Sequence, residues 1–317
     1  MGWEWATFSR AEAIHNLITS KKSDIIHALS HDTMLAACIA VKALSIPNKP
    51  YIVATTSEMS TEDSEFGISR SRFVYQLPID GLIQLSKYYM DVAVKHRCNP
   101  KERCIAAAVD LELFSSGNRQ QGRKLLDINE NKFLITCPSR FSKRKGQHDL
   151  TAALKLLPNN LKKNLVCLFA GGTNSASNQY LVKIKKQVES SGVTCLFKSI
   201  IRDKMPHIFK ATDLVVMPSY KEGLGFSAIE SMVAGCPVLL NRVEGFIEIP
   251  DNPNEVVFTT RGDIKELSNE IKRLMTDHNF RKNIANAGQK MAKKKFSPQN
   301  LSSKILQLYS KLIKGSI

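Results

Sequence analysis

Short apolar runs suited to buried strands alternate along the chain with segments of helical period. SDIIHALS (23–30) and PYIVATT (50–56) predict strands, with TMLAACIAVKALSI between them a helix. RFVYQLP (72–78) reads as a further strand and DGLIQLSKYYMDVAVKH as the helix after it, leading to RCIAAAVDLELF. A second series opens at NKFLITCPS (131–139), a strand followed by a basic loop and the helix HDLTAALKLL. LVCLFAG (165–171), VTCLFKSI (193–200), DLVVMPS (213–219) and PVLLN (237–241) continue it as strands, with MPHIFKATD a short helix. From GDIKELSNEIKRLM to the end the pattern is amphipathic helix. Strand–helix alternation of this kind predicts an α/β chain with two Rossmann-like halves. SSGNRQQGRKLLDINEN (115–131) is polar and lacks apolar periodicity, so the linker is placed there. The expected domains are 1–125 and 126–317, with ligand in the cleft between their sheets.

Composition narrows the class. Of the 317 residues, 43% are hydrophobic and 23% charged, a globular balance. Seven cysteines without paired spacing read as reduced thiols, and no Cys/His grouping forms a metal motif, so no metal is expected. The most apolar run, MLAACIAVKAL, is too short to span a bilayer, and the N-terminus lacks a signal-peptide core. A cytoplasmic protein is expected. The formal net charge of +16 favours polyanionic partners. No nucleic-acid motif or aromatic-studded basic groove accompanies it, which leaves phosphorylated ligands and an anionic membrane face.

The chemistry concentrates in PSYKEGLGFSAIESMVAGCPVLL (218–240). A buried strand ends near Pro218, and a helix runs on to Gly235 and Pro237. YKEGLGF therefore lies at the carboxyl edge of the sheet. Gly223 and Gly225 permit positive φ and close approach to a ligand, and the helix N-terminus suits an anion or a ring of hydroxyls. Ser227-x-x-Glu230 has capping-box spacing, so Glu230 is open to a structural reading. Glu222 sits inside the glycine loop, where a carboxylate would repel phosphate and instead accept hydrogen bonds from sugar hydroxyls. GLGFSA also fits a dinucleotide fingerprint, but three residues separate it from its strand and it lies in the fourth βα unit of its series.

These residues resemble glycosyltransferase family 4, retaining enzymes of GT-B fold. E-G-L-G-F-S-x-x-E-S-M-x-x-G-x-P-V-L resembles the family's E-x7-E signature, and CPSRFSKRKG its Arg-x4-Lys-Gly loop, with Arg140 and Lys145 at the matching spacing. VDLELF (109–114), DIIHALS and EGFIEI resemble further family segments. The resemblance implies a UDP- or GDP-sugar donor as substrate, with no separate cofactor. Arg140 and Lys145 would hold its diphosphate, Glu230 the ribose hydroxyls, and Glu222 with the Gly223–Gly225 backbone the transferred sugar. Leu224, Phe226 and Ile200 would complete the donor pocket. It further implies metal-independent front-face transfer, so Asp110-Leu111-Glu112 is not read as a metal-binding D-x-D.

The departures lie in the first half. The D-I-V-H-like strand arrives by residue 24, the family's T-x-H reads Thr55-Thr56-Ser57, and the second histidine of H-x-H is Leu29. His27 and His31 remain near the sheet edge; His31 is the candidate catalytic group there, against a structural reading. His148 and His207 read as structural. The shortened N-terminal domain predicts an exposed sheet edge, as in a compact variant, a truncated product or a subunit whose partner chain completes the sheet. The expected activity is transfer of a hexose or N-acetylhexosamine to a glycan or lipid-linked acceptor of the cell envelope, such as capsule or lipopolysaccharide. The rival is a donor-domain-like subunit inactive without its partner; a sugar-nucleotide epimerase is disfavoured by the motif pair. Arg281, Lys282, Lys290 and Lys293–Lys295 near an amphipathic C-terminal helix suggest peripheral docking to the inner membrane face, against an ordinary solvated helix.

Overall fold

A computed structural model describes residues 3–43, 49–56, 75–96, 98–172 and 179–315. The chain forms two compact units: residues 1–107 with 299–317, and residues 108–298. The last helix, Pro298–Lys314, therefore returns to the first unit. This division differs from the 125/126 boundary drawn on composition.

Among the described residues, the first unit has a parallel sheet in the order β1-β2-β3-β4: Ile25–Ala28, Tyr51–Thr56, Gly81–Gln84 and Glu102–Ile105. The two-residue period decides its layers. Ile52, Ala54 and Leu82 pack in one cluster with Ala11 and Ile18 of helix Trp3–Ser20 and Met34 and Ala37 of helix His31–Ala43. Val53 and Ile83, one residue out of phase, pack instead with Leu308 and Leu312 of the returning helix. Helices thus cover both faces, which is why these strands read as continuous apolar runs.

One sequence expectation fails here. Residues 72–74 of the expected RFVYQLP strand lie outside the described residues, and 75–78 are not strand. The strand is Gly81–Gln84, inside the stretch read as helix. Its helix starts only at Lys87, where Ser86 Oγ accepts from Tyr89 N at 3.3 Å. Buried Leu82 and Ile83 serve opposite faces of the sheet, and a doubly buried strand cannot be told from a helix by periodicity alone.

The second unit has a parallel sheet ordered β10-β9-β8-β5-β6-β7. Its strands are β5 (Phe133–Cys137), β6 (Leu165–Ala170), β7 (Thr194–Lys198), β8 (Leu214–Met217), β9 (Val238–Asn241) and β10 (Val257–Thr259). From β5 the chain winds outward through β6 to β7, then crosses back to place β8 on the other side of β5. The supposed linker 115–131 belongs to this unit and contains a helix, Arg119–Leu126. Buried Arg123 donates to Asp213 Oδ2 at 2.7 Å and to the carbonyls of Asn129 and Lys132 at 3.0 and 2.7 Å. Asp213 Oδ2 also accepts from Leu134 N at 2.8 Å, tying that helix to the starts of β5 and β8. An arginine on the packed face hid the helical period. No helix among the described residues is long and apolar enough to cross a membrane.

Candidate active site

The strand order makes the β5/β8 pair the point where the winding of the second sheet reverses, and ligands of open α/β sheets bind outside the carboxyl ends of strands at such a point. Both loops singled out from sequence emerge there: 138–146 after β5, and 218–225 after β8. Their backbones interlock. Tyr220 N donates to Arg144 O at 2.8 Å, and Arg144 Nη1 donates to Lys221 O at 2.9 Å. Gly146 takes φ +67°, and a Cβ there would lie 1.8 Å from Pro218 O. Only glycine allows that approach.

The two motifs meet through their charges. Lys145 Nζ donates to Glu222 Oε1 at 2.5 Å, and Ser219 Oγ donates to the same oxygen at 2.8 Å. The lysine side chain is 13% exposed and the glutamate 7%. Asn241 Nδ2 steadies Ser219 O at 3.3 Å, and Thr259 Oγ1 donates to Asn241 Oδ1 at 3.0 Å. A line of hydrogen bonds thus runs along the sheet edge from β10 to Glu222. Arg140 is exposed, at the tip of a loop whose base is fixed by Gln147 Nε2, donating to Ser139 Oγ and Arg140 O at 2.9 Å each. Tyr220 stacks on His148 at 5.6 Å, and His148 Nδ1 lies 2.8 Å from Tyr180 Oη, so His148 braces the loop.

Beyond Glu222 the chain enters helix Phe226–Val233 through Gly225, its N-cap at φ +87°. A Cβ on Gly225 would lie 2.3 Å from Cε1 of buried Phe246. Of the two loop glycines, this one takes the left-handed region. The capping-box reading of Glu230 fails, because the N-cap is Gly225 rather than Ser227 and makes no side-chain cap bond. Glu230 Oε1 accepts instead from Arg202 Nη1 at 3.0 Å. Burial pushes the Glu230 carboxyl up, and the Arg202 charge and hydrogen bond pull it partly back. Leu224 is buried and Phe226 exposed at the helix start. Ile200, after β7, packs its side chain on the cluster of Leu126, Leu134 and Ile208.

Arg140, Lys145, Glu222, Gly223, Leu224, Gly225, Phe226, Glu230 and Ile200 therefore all lie in the second unit, on the loops after β5, β7 and β8 or in the helix Phe226–Val233. His31 belongs to the first unit, buried at the start of its helix with Tyr75 edge-on at 5.9 Å. His27 is braced by Thr55 Oγ1 and Tyr309 Oη, each at 2.7 Å. Asp110 caps helix Leu111–Ser115, accepting from Leu113 N at 2.8 Å. Sequence reasoning missed Arg202, Ser219, Gln147 and Asn241. Arg202, Ser219 and Asn241 are single polar residues at strands' carboxyl ends and Gln147 opens the helix Gln147–Leu156, which signals nothing until the strand order is known.

The family model described as glycosyl transferases group 1 matches residues 118–291, more than half of the chain. The chain belongs to the group 1 glycosyl transferases. Among curated relatives, this chain is 24% identical over 214 residues to the capsular polysaccharide biosynthesis glycosyltransferase CapM of Staphylococcus aureus, covering 66% of this chain and 54% of CapM. It is also 24% identical over 213 residues to a D-inositol 3-phosphate glycosyltransferase of Saccharomonospora viridis, covering 65% of this chain and 49% of that protein. The chain thus spans about half the length of the curated relatives it matches. Among solved structures, Anabaena HepE in complex with UDP and glucose superposes with a TM-score of 0.80 at 21% identity, over 95% of this chain and 80% of HepE. That likeness carries the fold, GT-B-like with two parallel α/β units.

The basic charge of this chain is uneven. Residues 108–298 hold 30 lysines and arginines against 18 aspartates and glutamates, net +12 of the total +16. Two of the cations expected to meet a membrane are otherwise engaged. Lys295 Nζ is bound to Glu248 O, Ile249 O and Asp251, and Arg281 Nη1 donates to Leu274 O at 2.6 Å. Lys282, Lys290 and Lys294 are exposed.

Proposed function

We propose that this chain is a retaining glycosyltransferase. It takes a hexosyl or N-acetylhexosaminyl group from a UDP- or GDP-sugar and delivers it to a glycan or lipid-linked acceptor of the cell envelope. The observation that carries this reading is the Lys145–Glu222 pair at the β5/β8 reversal, beside the Gly225 helix start. It places a cation for phosphate oxygens and a carboxylate for sugar hydroxyls side by side. The donor diphosphate lies against Lys145, the Arg140 guanidinium and the helix N-terminus. Charge developing on the departing nucleotide is neutralised there without a metal, which is where catalysis by this unit resides. Glu222 turns to the sugar once phosphate claims Lys145, and Glu230 accepts the ribose hydroxyls. The acceptor attacks from the face the nucleotide leaves, with a leaving phosphate oxygen taking its proton, so the anomeric configuration is kept.

CapM, named for capsular polysaccharide biosynthesis, supports an envelope acceptor. Exposed Lys282, Lys290 and Lys294 support peripheral docking to an anionic leaflet on the cytoplasmic side. A second reading, a donor-binding subunit that needs a partner chain on its first sheet, is favoured by β1, which pairs only with β2 among the described residues. The test is incubation of the pure chain with UDP- and GDP-sugars, with and without EDTA, reading nucleotide release and product anomer by NMR. Release with net retention in EDTA supports the first reading. Saturable donor binding with no release, restored by added cell extract, supports the second. No binding of any nucleotide sugar by the folded chain defeats both.

A further inference from the structure

Arg202 has no counterpart among the motif residues, yet it is the side chain that meets Glu230. It stands in the turn after β7, with its guanidinium carbon 5.2 Å above the ring centroid of Phe114, a fully buried residue. One nitrogen, Nη1, reaches Glu230 Oε1 at 3.0 Å. The arginine side chain is 61% exposed while the glutamate's is 12%. Phe114 thus supports the guanidinium from below and Glu230 fixes it from the side.

Resting on the nucleotide-sugar reading of this unit, we infer that Arg202 is a positioning residue for Glu230. It holds the half of the carboxylate nearest it, keeps the group ionised in an apolar setting, and so presents Oε2 to the ribose hydroxyls of the donor. An un-ionised carboxyl would offer a hydroxyl donor where the ribose needs an acceptor. The elements packed against the Glu230 helix supply no substitute. β8 and β9 carry no ionisable side chain, and helix Leu111–Ser115, with its cap Asp110, brings only Asp110 and Glu112. Helix His278–Lys295 brings His278, Arg281, Lys282, Lys290 and Lys293–Lys295, yet Arg202 is the charged group that acts on the Glu230 carboxyl. The ammonium of a lysine at 202 could supply the charge, though not the flat seat on Phe114.

The test has two arms on the full chain. In the first, glutamate carboxyls are labelled with ¹³C and titrated by NMR in the wild type, Arg202→Met and Arg202→Lys, the Glu230 signal being assigned by its loss in Glu230→Gln. The expected result is an upward shift of the Glu230 midpoint in Arg202→Met, reversed in Arg202→Lys. An unmoved midpoint in Arg202→Met overturns the inference. In the second arm, UDP and GDP are titrated from pH 5.5 to 8. Arg202→Met should lose affinity as pH falls, by up to about tenfold per unit below the shifted midpoint. Glu230→Gln should be weak at every pH, and the double variant should match it. A pH-independent loss in Arg202→Met, which a merely structural role would give, also overturns the inference. Failure of the wild type to bind either nucleotide counts against the nucleotide-sugar reading, while the carboxyl titration still decides the role of Arg202.

Discussion

Replacing Lys145 by methionine, Glu222 by glutamine, and both together tests whether the two motif loops are joined by charge. The pair is close, 2.5 Å between Nζ and Oε1, and both side chains are largely removed from water. Breaking such a pair by removing one partner leaves an uncompensated charge and costs about 3–5 kcal/mol. Lys145→Met leaves Glu222 with its Ser219 hydrogen bond, so its loss should fall at the lower end. Glu222→Gln keeps a side-chain oxygen for Ser219 but leaves the ammonium facing a neutral amide. The double variant removes both charges and should cost little more than either single change. The expected coupling energy is therefore about 3 kcal/mol, the size of the smaller single loss and the top of the range for residues in direct contact. Urea unfolding followed by far-UV circular dichroism at low and at 0.5 M salt reads it, and a buried pair should respond little to salt. Additive losses, or a coupling that disappears in salt, would refute the pairing as the joint between the loops.

Three further outcomes follow from the same geometry. Gly225→Ala should destabilise the chain by about 2 kcal/mol or more in urea unfolding, because a left-handed φ of +87° is strained for alanine and its Cβ meets Phe246; a change below 0.5 kcal/mol would count against this corner. Glu230, whose carboxyl is raised above its ordinary value of 4.5 by burial, favours folding most below that value and loses this contribution as pH rises through the folded midpoint. Glu230→Gln should therefore gain stability relative to the wild type between pH 4.5 and neutrality, while losing nucleotide binding; a pH-independent difference would contradict the burial argument. Of the seven cysteines, half-buried Cys104 and Cys195 should react first with a thiol reagent at pH 8, since Cys38, Cys98, Cys137, Cys167 and Cys236 are buried and burial pushes their thiols up. Rapid modification of all seven would mean that the core opens.

The two motif loops after β5 and β8 were legible because their glycines, cations and carboxylates lie within short motifs of fixed spacing. The strands of the second unit were legible too, as apolar runs ending at loops. What escaped reading depends on order in space. Nothing in the letters says that β8 returns beside β5, so Ser219, Asn241 and Arg202 gave no signal, although each lies at a strand's carboxyl end. The helix Arg119–Leu126 escaped because its buried face carries Arg123, whose partner Asp213 is distant in sequence. Ser227 and Glu230 satisfied a local capping rule that lost to the left-handed turn at Gly225. The first unit read less well, since its third strand, Gly81–Gln84, lies two residues before helix Lys87–Lys95, and its apolar run merged in the letters with that helix.

The proposed function requires the β5/β8 corner of the second unit to bind a nucleotide sugar, with Glu222 on its sugar. The most direct measurement is isothermal titration of a panel of UDP- and GDP-sugars, and of bare UDP and GDP, against the wild-type chain and Glu222→Gln. The expected result is saturable binding of at least one nucleotide sugar at one site per chain, weakened by Glu222→Gln more than the bare nucleotide is. Equal losses for sugar nucleotide and bare nucleotide, or no binding by a folded wild type, would contradict the account.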